Sequence, residues 1–247
     1  MIIDNRNLLG ESPLWNKFDE KFYWVDILGK KIKSYDGDQV YEFDTNKLPC
    51  CITLSDANMF TLVLENEIGI YDLRSNTFNG QYKMNNPEVR FNDGKLDKNG
   101  ILYIGTMDRN EQNFIGNIFR YENGYLETIK SNIGITNGLS FDNENKMYYS
   151  DSLSGDLFYN NKIINHYETK NETPDGSCIN KDNKYYSCIW GGSRIDVYDN
   201  LQIKDKIKLP FLNPTCCCYG GKENDKLFIT SSSIIDSKGE NGKVIII

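Results

Sequence analysis

Four side chains stand out as able to do chemistry: Glu11 after Gly10, Asn92 in Asn92-Asp93-Gly94, Asn137 in Asn137-Gly138 and Asp175 in Asp175-Gly176. Each offers a hard oxygen donor, and gathered around one point such a set suits Ca²⁺, Mg²⁺ or Mn²⁺. Taken singly, Asn-Gly and Asp-Gly are ordinary turn dipeptides, because Gly supplies the backbone latitude a sharp turn needs. A chemical role therefore depends on a fold that brings the four together. Imidazole chemistry is restricted: the chain has 1 histidine, His166. A zinc site built on two or three imidazoles is excluded, and a Ser-His-Asp enzyme would have to place its base there.

The elements that must position these residues repeat. Short aromatic or β-branched runs begin at Tyr23, Thr61, Leu102, Met147, Tyr185 and Leu227, at intervals between 38 and 45 residues, and they use up the whole 247-residue chain. A second strand-like run follows most of them beyond a Gly or Asn turn, as in Lys31–Asp36, Ile68–Asp72, Asn117–Tyr121 and Arg194–Asp199. These are hairpins. A repeat near forty residues, short alternating strands and no helical apolar period predict an all-β, six-bladed β-propeller occupying residues 1–247 as a single domain. A β-sandwich of roughly 100 residues would need two copies and a linker, and no Pro/Ser-rich linker is present. The C-terminal run Lys243–Ile247 reads as a strand that the N-terminal residues pair with in the last blade, locking the ring.

The innermost strand of each blade precedes the aromatic run, so the residue about ten positions earlier marks a comparable height in every blade. Those positions are Asn92, Asn137 and Asp175, with Glu11 twelve before Tyr23 and with Cys51 and Cys217 in blades two and six. Four polar side chains are thus expected to converge on a central axial metal site. Asp26 and Asp151, at the ends of their aromatic strands, are expected to make backbone hydrogen bonds in the turn that follows. Asp93 and Lys95 are expected in a turn and at the surface, and His166 at the surface or a blade edge. Trp15, Trp24 and Trp190 are expected between blades, Trp190 being a candidate for the channel wall.

Composition excludes several other classes. At 39% hydrophobic and 13% aromatic residues, the chain can bury enough apolar surface to fold. Its net charge of −7 has the wrong sign for neutralising phosphates, which argues against nucleic-acid binding. The 7 cysteines are odd in number, and five of them lie in the runs Cys50-Cys51 and Cys216-Cys217-Cys218, unlike a stapled secreted framework. They are expected to be small buried side chains in a reducing compartment. The start Met1–Arg6 lacks the pattern of a signal peptide, and no run approaches a membrane span, so a soluble, cytoplasmic protein without a membrane partner is expected.

Five ordered stretches, Glu11-Ser12-Pro13-Leu14-Trp15, Arg90-Phe91-Asn92-Asp93-Gly94-Lys95, Thr136-Asn137-Gly138-Leu139, Thr173-Pro174-Asp175-Gly176 and Cys216-Cys217-Cys218-Tyr219-Gly220-Gly221, give the series a family likeness. It resembles the senescence marker protein/gluconolactonase/luciferin-regenerating-enzyme-like family, of which regucalcin-like proteins are part, over essentially the entire chain. The resemblance implies a six-bladed propeller that holds one divalent cation, Ca²⁺, Zn²⁺, Mn²⁺ or Mg²⁺, and hydrolyses small-molecule sugar lactones. It assigns Glu11, Asn137 and Asp175 to the metal, and Arg90 and Asn92 to the substrate. Where typical mammalian members have a substrate-facing Glu three residues after Gly-Thr-Met, this chain has Asn110, with Glu111 next to it. Asp175 is then both ligand and general base, and a monomer or weak oligomer is expected. Other readings are a calcium-binding regulatory protein without turnover, a lactonase or esterase acting on a non-sugar substrate, and an interaction scaffold.

Overall fold

A computed structural model describes residues 1–168 and 171–247. Among the described residues there is no helix, and the strands form six four-stranded antiparallel sheets. The first strand of each sheet is Gly10–Asn16, Pro49–Asp56, Val89–Leu96, Thr136–Phe141, Thr173–Ile179 or Pro214–Gly220. Each packs against the first strand of the sheet before and the sheet after, and the last returns to the first. The ring is therefore a six-bladed β-propeller whose first strands line the axis, as the repeat predicts.

The second strands, among them Lys21–Asp26, Leu102–Asp108 and Tyr185–Trp190, are the aromatic runs of the sequence. Their alternation explains the core, because successive side chains point to opposite faces of a blade and both faces are covered by neighbours. The apolar clusters accordingly lie between blades. Phe22 and Trp24 of blade one meet Phe228 of blade six, the two phenylalanine rings stacking at 4.5 Å. Tyr148 of blade four stacks on Tyr185 of blade five at 4.4 Å.

The ring is closed by both ends of the chain. Blade six runs Pro214–Gly220, Lys226–Ser231, Val244–Ile246 and finally Ile2–Ile3 as its outermost strand, with Ile2 opposite Ile245 and Ile3 opposite Val244. Ile3 is 5% exposed and belongs to the cluster of Trp24 and Phe228. The expected terminal pairing is present.

Every first strand carries an irregularity near its start, where extra residues interrupt the ladder. Such bulges re-aim side chains and cluster beside functional sites. Here they correct one expectation. The residues that follow the pairs Gly10↔Asp26, Pro49↔Leu64, Phe91↔Thr106, Thr136↔Asp151, Pro174↔Ile189 and Pro214↔Ser231 are Glu11, Cys50, Asn92, Asn137, Asp175 and Thr215. Cys50 and Thr215, not Cys51 and Cys217, thus stand at the blade-equivalent places. Counting back from an aromatic run misses this because the extra residue in a bulge is invisible to spacing.

Candidate functional site

One cavity of about 1080 Å³ opens on the axis, and Glu11, Arg90, Asn92, Glu111, Asn137 and Asp175 all reach its wall. Asn110 is exposed and does not line it, so the two neighbouring candidates in the loop after Asp108 are separated by their backbone. Glu111, the other candidate, takes a left-handed conformation, φ 57°, and lines the wall.

The amides form a directed chain across three blades. Arg90 Nη1 donates to Asn92 Oδ1 at 2.8 Å, and Asn92 Nδ2 donates to Asn137 Oδ1 at 3.0 Å. Asn137 Nδ2 donates to Ser152 Oγ at 2.9 Å, and Ser152 Oγ donates to the carbonyl of Pro174 at 2.6 Å. Pro174 is the residue before Asp175, so blades three, four and five are tied to one another at the height of the site. This chain fixes the amide of Asn137 with its oxygen on the Asn92 side. Gly138 follows in a left-handed conformation, φ 62°, and a Cβ there would stand 2.7 Å from Tyr185 Oη and 3.0 Å from the Asp175 carbonyl. Only glycine fits at that approach.

The electrostatics are strained in one sense. Burial raises the Glu11 carboxyl above its ordinary range and the charge of Asp93 raises it further, against the opposing Ser12 N–H, Arg90 and Lys95. Asp175 is raised well above its ordinary value by burial first, then by the charges of Glu11 and Asp93. Both carboxylates are under 10% exposed, at 9% and 7%. Carboxyl groups are held close together in a desolvated place, where ionising them costs stability unless a cation joins them. Two carboxylates and an amide oxygen are the donor chemistry of a hard divalent ion, and the residues present fit one.

Asp93 and Lys95 are not in a turn and at the surface. Asp93 is buried, its Oδ2 accepting from Leu139 N at 2.9 Å and its Oδ1 from Gly94 N at 2.8 Å. It pins the backbone two residues beyond Asn137. Lys95 points inward with its Nζ 3.4 Å from the carbonyl of Ser177, in electrostatic range of Asp93 and of Cys216, Cys178 and Cys218. The Asn-Asp-Gly-Lys stretch has the composition of a turn, but it forms the bulge of an inner strand, and no local signal separates the two.

His166 lies on the outermost strand of blade four and is exposed, as expected, yet it also reaches the cavity mouth, where its Nδ1 is 2.8 Å from Asp156 Oδ1. Trp190 lines the cavity wall and Trp24 packs between blades, donating through Nε1 to Asn7 Oδ1 at 2.9 Å. Asp26 and Asp151 accept backbone hydrogen bonds, from Leu8, Leu9 and Gly29 and from Gly134, Ile135 and Leu153. Only Gly29 and Leu153 lie in the turn that follows, as expected; the other donors lie in the segment leading into the inner strand of the same blade, so the two aspartates hold Glu11 and Asn137 at the right height.

A closed six-bladed propeller with an acidic cavity on its axis defines a class, and comparison with known proteins narrows it. Residues 9–233 match the SMP-30/Gluconolactonase/LRE-like region, and the chain belongs to that family. It is similar to YvrE of Bacillus subtilis (strain 168), provisionally named a sugar lactone lactonase, with 29% identity over 93% of this chain and 85% of that one. It is also similar to L-arabinolactonase of Azospirillum brasilense, with 27% identity over 95% and 84% of the two chains. Among solved structures, a calcium-binding protein, regucalcin, from Agrobacterium tumefaciens superposes with a TM-score of 0.92 at 17% identity, covering 99% of this chain and 91% of that one. At that identity the likeness is one of fold.

Proposed function

We propose that the protein is a divalent-cation-dependent hydrolase that opens sugar lactones. The observation that carries this reading is the buried pair Glu11 and Asp175, mutually repelling and facing a cavity into which Asn137 also reaches. The lactonases named among its relatives support it. Glu11, Asn137 and Asp175 would hold the ion, with Ca²⁺, Mg²⁺, Mn²⁺ and Zn²⁺ as the candidates. When bound, it supplies electrophilic polarisation of the lactone carbonyl.

The chain's own groups do the rest. Asp175 accepts the proton of the attacking water, and that proton passes to the departing ring oxygen, so the product is a hydroxy acid. Arg90, held by Asn92 Oδ1 at 2.8 Å, and Asn92 beside it on the cavity wall would orient the ring or its hydroxyl oxygens. Glu111, on the cavity wall, would accept from a sugar hydroxyl. Asp93 is a positioning residue through Leu139.

The test is lactone hydrolysis by metal-stripped protein, with glucono-1,5-lactone and a phenyl ester in the panel, before and after each of the four ions. Turnover that one ion restores and Asp175→Ala abolishes is expected. A rate retained in Asp175→Ala would refute the assignment. Tight cation binding without turnover of any substrate would favour a calcium-binding protein that is not an enzyme.

A further inference from the structure

The cavity is larger than the ring its donor set would receive. At about 1080 Å³ it stands just above the range for drug-sized ligands, roughly 300–1,000 Å³, and part of its rim is apolar and exposed. Blades three and four face it with Arg90, Asn92, Glu111 and His166 beside Met107, Ile135 and Leu153. The arc from blade five through six to one faces it with Glu11, Asp175 and Asn213, and also with the apolar Trp190, Leu212, Ile234, Ile235, Leu9 and Ile27.

These apolar residues form one shelf. Leu9 bridges to Ser232, two residues before Ile234, and Ile27 N donates to the Leu9 carbonyl at 2.8 Å. The carbonyl of Asn213, next to Leu212, accepts from Ser232 N at 3.0 Å. Leu212, Ile234 and Ile235 are 39%, 49% and 66% exposed. A contiguous exposed apolar surface at the mouth of a polar site marks a place where ligand is expected. Nothing in an unsubstituted, hydroxyl-rich ring would cover it.

We propose that the shelf is a substrate subsite, and that the lactones this protein opens carry an alkyl or aryl substituent that lies along Trp190, Leu212, Ile234 and Ile235 while the ring stays over Asp175. This rests on the lactonase reading above. The substituent leaves the reacting atoms untouched, so its contribution is uniform binding that lowers KM and leaves kcat nearly alone. Each methylene withdrawn from water contributes about fourfold in affinity, so a five-carbon side chain half covered by the shelf lowers KM by about tenfold or more.

The experiment compares δ-valerolactone with δ-decalactone, which differ only in the side chain, on the native protein and on an Ile234→Ser/Ile235→Ser variant. The native protein is expected to show the lower KM for δ-decalactone at similar kcat, and the variant to lose about fivefold or more of that advantage. Equal KM values, or an advantage that survives in the variant, would overturn the subsite. Should neither lactone turn over while glucono-1,5-lactone does, the subsite is overturned; should glucono-1,5-lactone not turn over either, the lactonase reading fails separately, and the subsite is read by calorimetry with the two lactam counterparts. Binding that depends on the side chain and weakens in the variant sustains it; binding that ignores the side chain overturns it. Self-association in sedimentation that the variant abolishes would assign the shelf to a second copy of the chain and overturn it too.

Discussion

The seam that closes the ring is the place where a small change should have the largest structural effect. Ile3→Ala removes a side chain that is 5% exposed and packed against Phe22, Trp24 and Phe228, whereas Ile2→Ala on the same strand removes one that is 43% exposed. Truncating a buried Ile to Ala costs about 2–5 kcal/mol because a cavity remains, and an exposed truncation stays within about 0.5 kcal/mol. Deleting residues 1–3 also removes the two hydrogen bonds between Met1 and Ile246, at 2.7 and 2.9 Å. At about 1 kcal/mol each, they bring the deletion to about 5 kcal/mol. That is a large part of the roughly 5–15 kcal/mol that holds a typical domain together. Urea unfolding followed by tryptophan fluorescence reads the difference directly, since Trp24 belongs to the same cluster. A shift in Ile3→Ala below about 1 kcal/mol, or equal to that of Ile2→Ala, would refute the view that the N-terminal strand locks the ring.

Other outcomes follow from the site and its supports. Asp93→Ala leaves the amides of Leu139 and Gly94 without their acceptor and should cost about 3 kcal/mol in unfolding and weaken cation affinity, with Asp93→Asn milder because one oxygen remains. Cation added at about 100 times its dissociation constant should stabilise the native protein by about 2.7 kcal/mol and leave Asp175→Ala unchanged, as measured by thermal melts. Glu42 bears on the pH dependence: burial pushes its carboxyl up, but hydrogen bonds from Lys31 and Asn5 and the charge of Lys33 outweigh this and hold it down at about 2. A depressed carboxylate stabilises the fold above its unfolded value and loses that contribution as pH falls through the folded one. The gap between native and Glu42→Gln unfolding curves should therefore be constant near neutrality and close between about pH 4.5 and 2.

The propeller was legible because each blade writes the same two-residue alternation into an aromatic run, and six runs at near-constant intervals leave no other use for the chain. Glu11, Asn92, Asn137 and Asp175 were legible for the same reason, as polar interruptions at one height. Cys50 and Thr215 were not, because register across a bulge is settled by pairing with the neighbouring strand. Asp93 and Lys95 were hidden by composition, since a charged Asn-Asp-Gly-Lys stretch looks alike in a solvent-facing turn and in the throat of a ring. Glu111 and Asn110 are adjacent, and which of them faces the cavity depends on a single left-handed residue that spacing does not reveal.

The buried cysteines have a practical consequence. All seven are free thiols sealed from solvent, two in blade two, two in blade five and three in blade six. Each can react with a thiol reagent only when its own part of the ring breathes open, so the protein carries its own set of local clocks. Cys218 shares its cluster with Ile3 at the seam, and Cys50 and Cys51 lie between blades two and three, away from it. If the ring unzips from its ends, modification of Cys218 outpaces that of Cys50 and Cys51 under native conditions, and the order of labelling around the circle becomes a map of how the propeller comes apart.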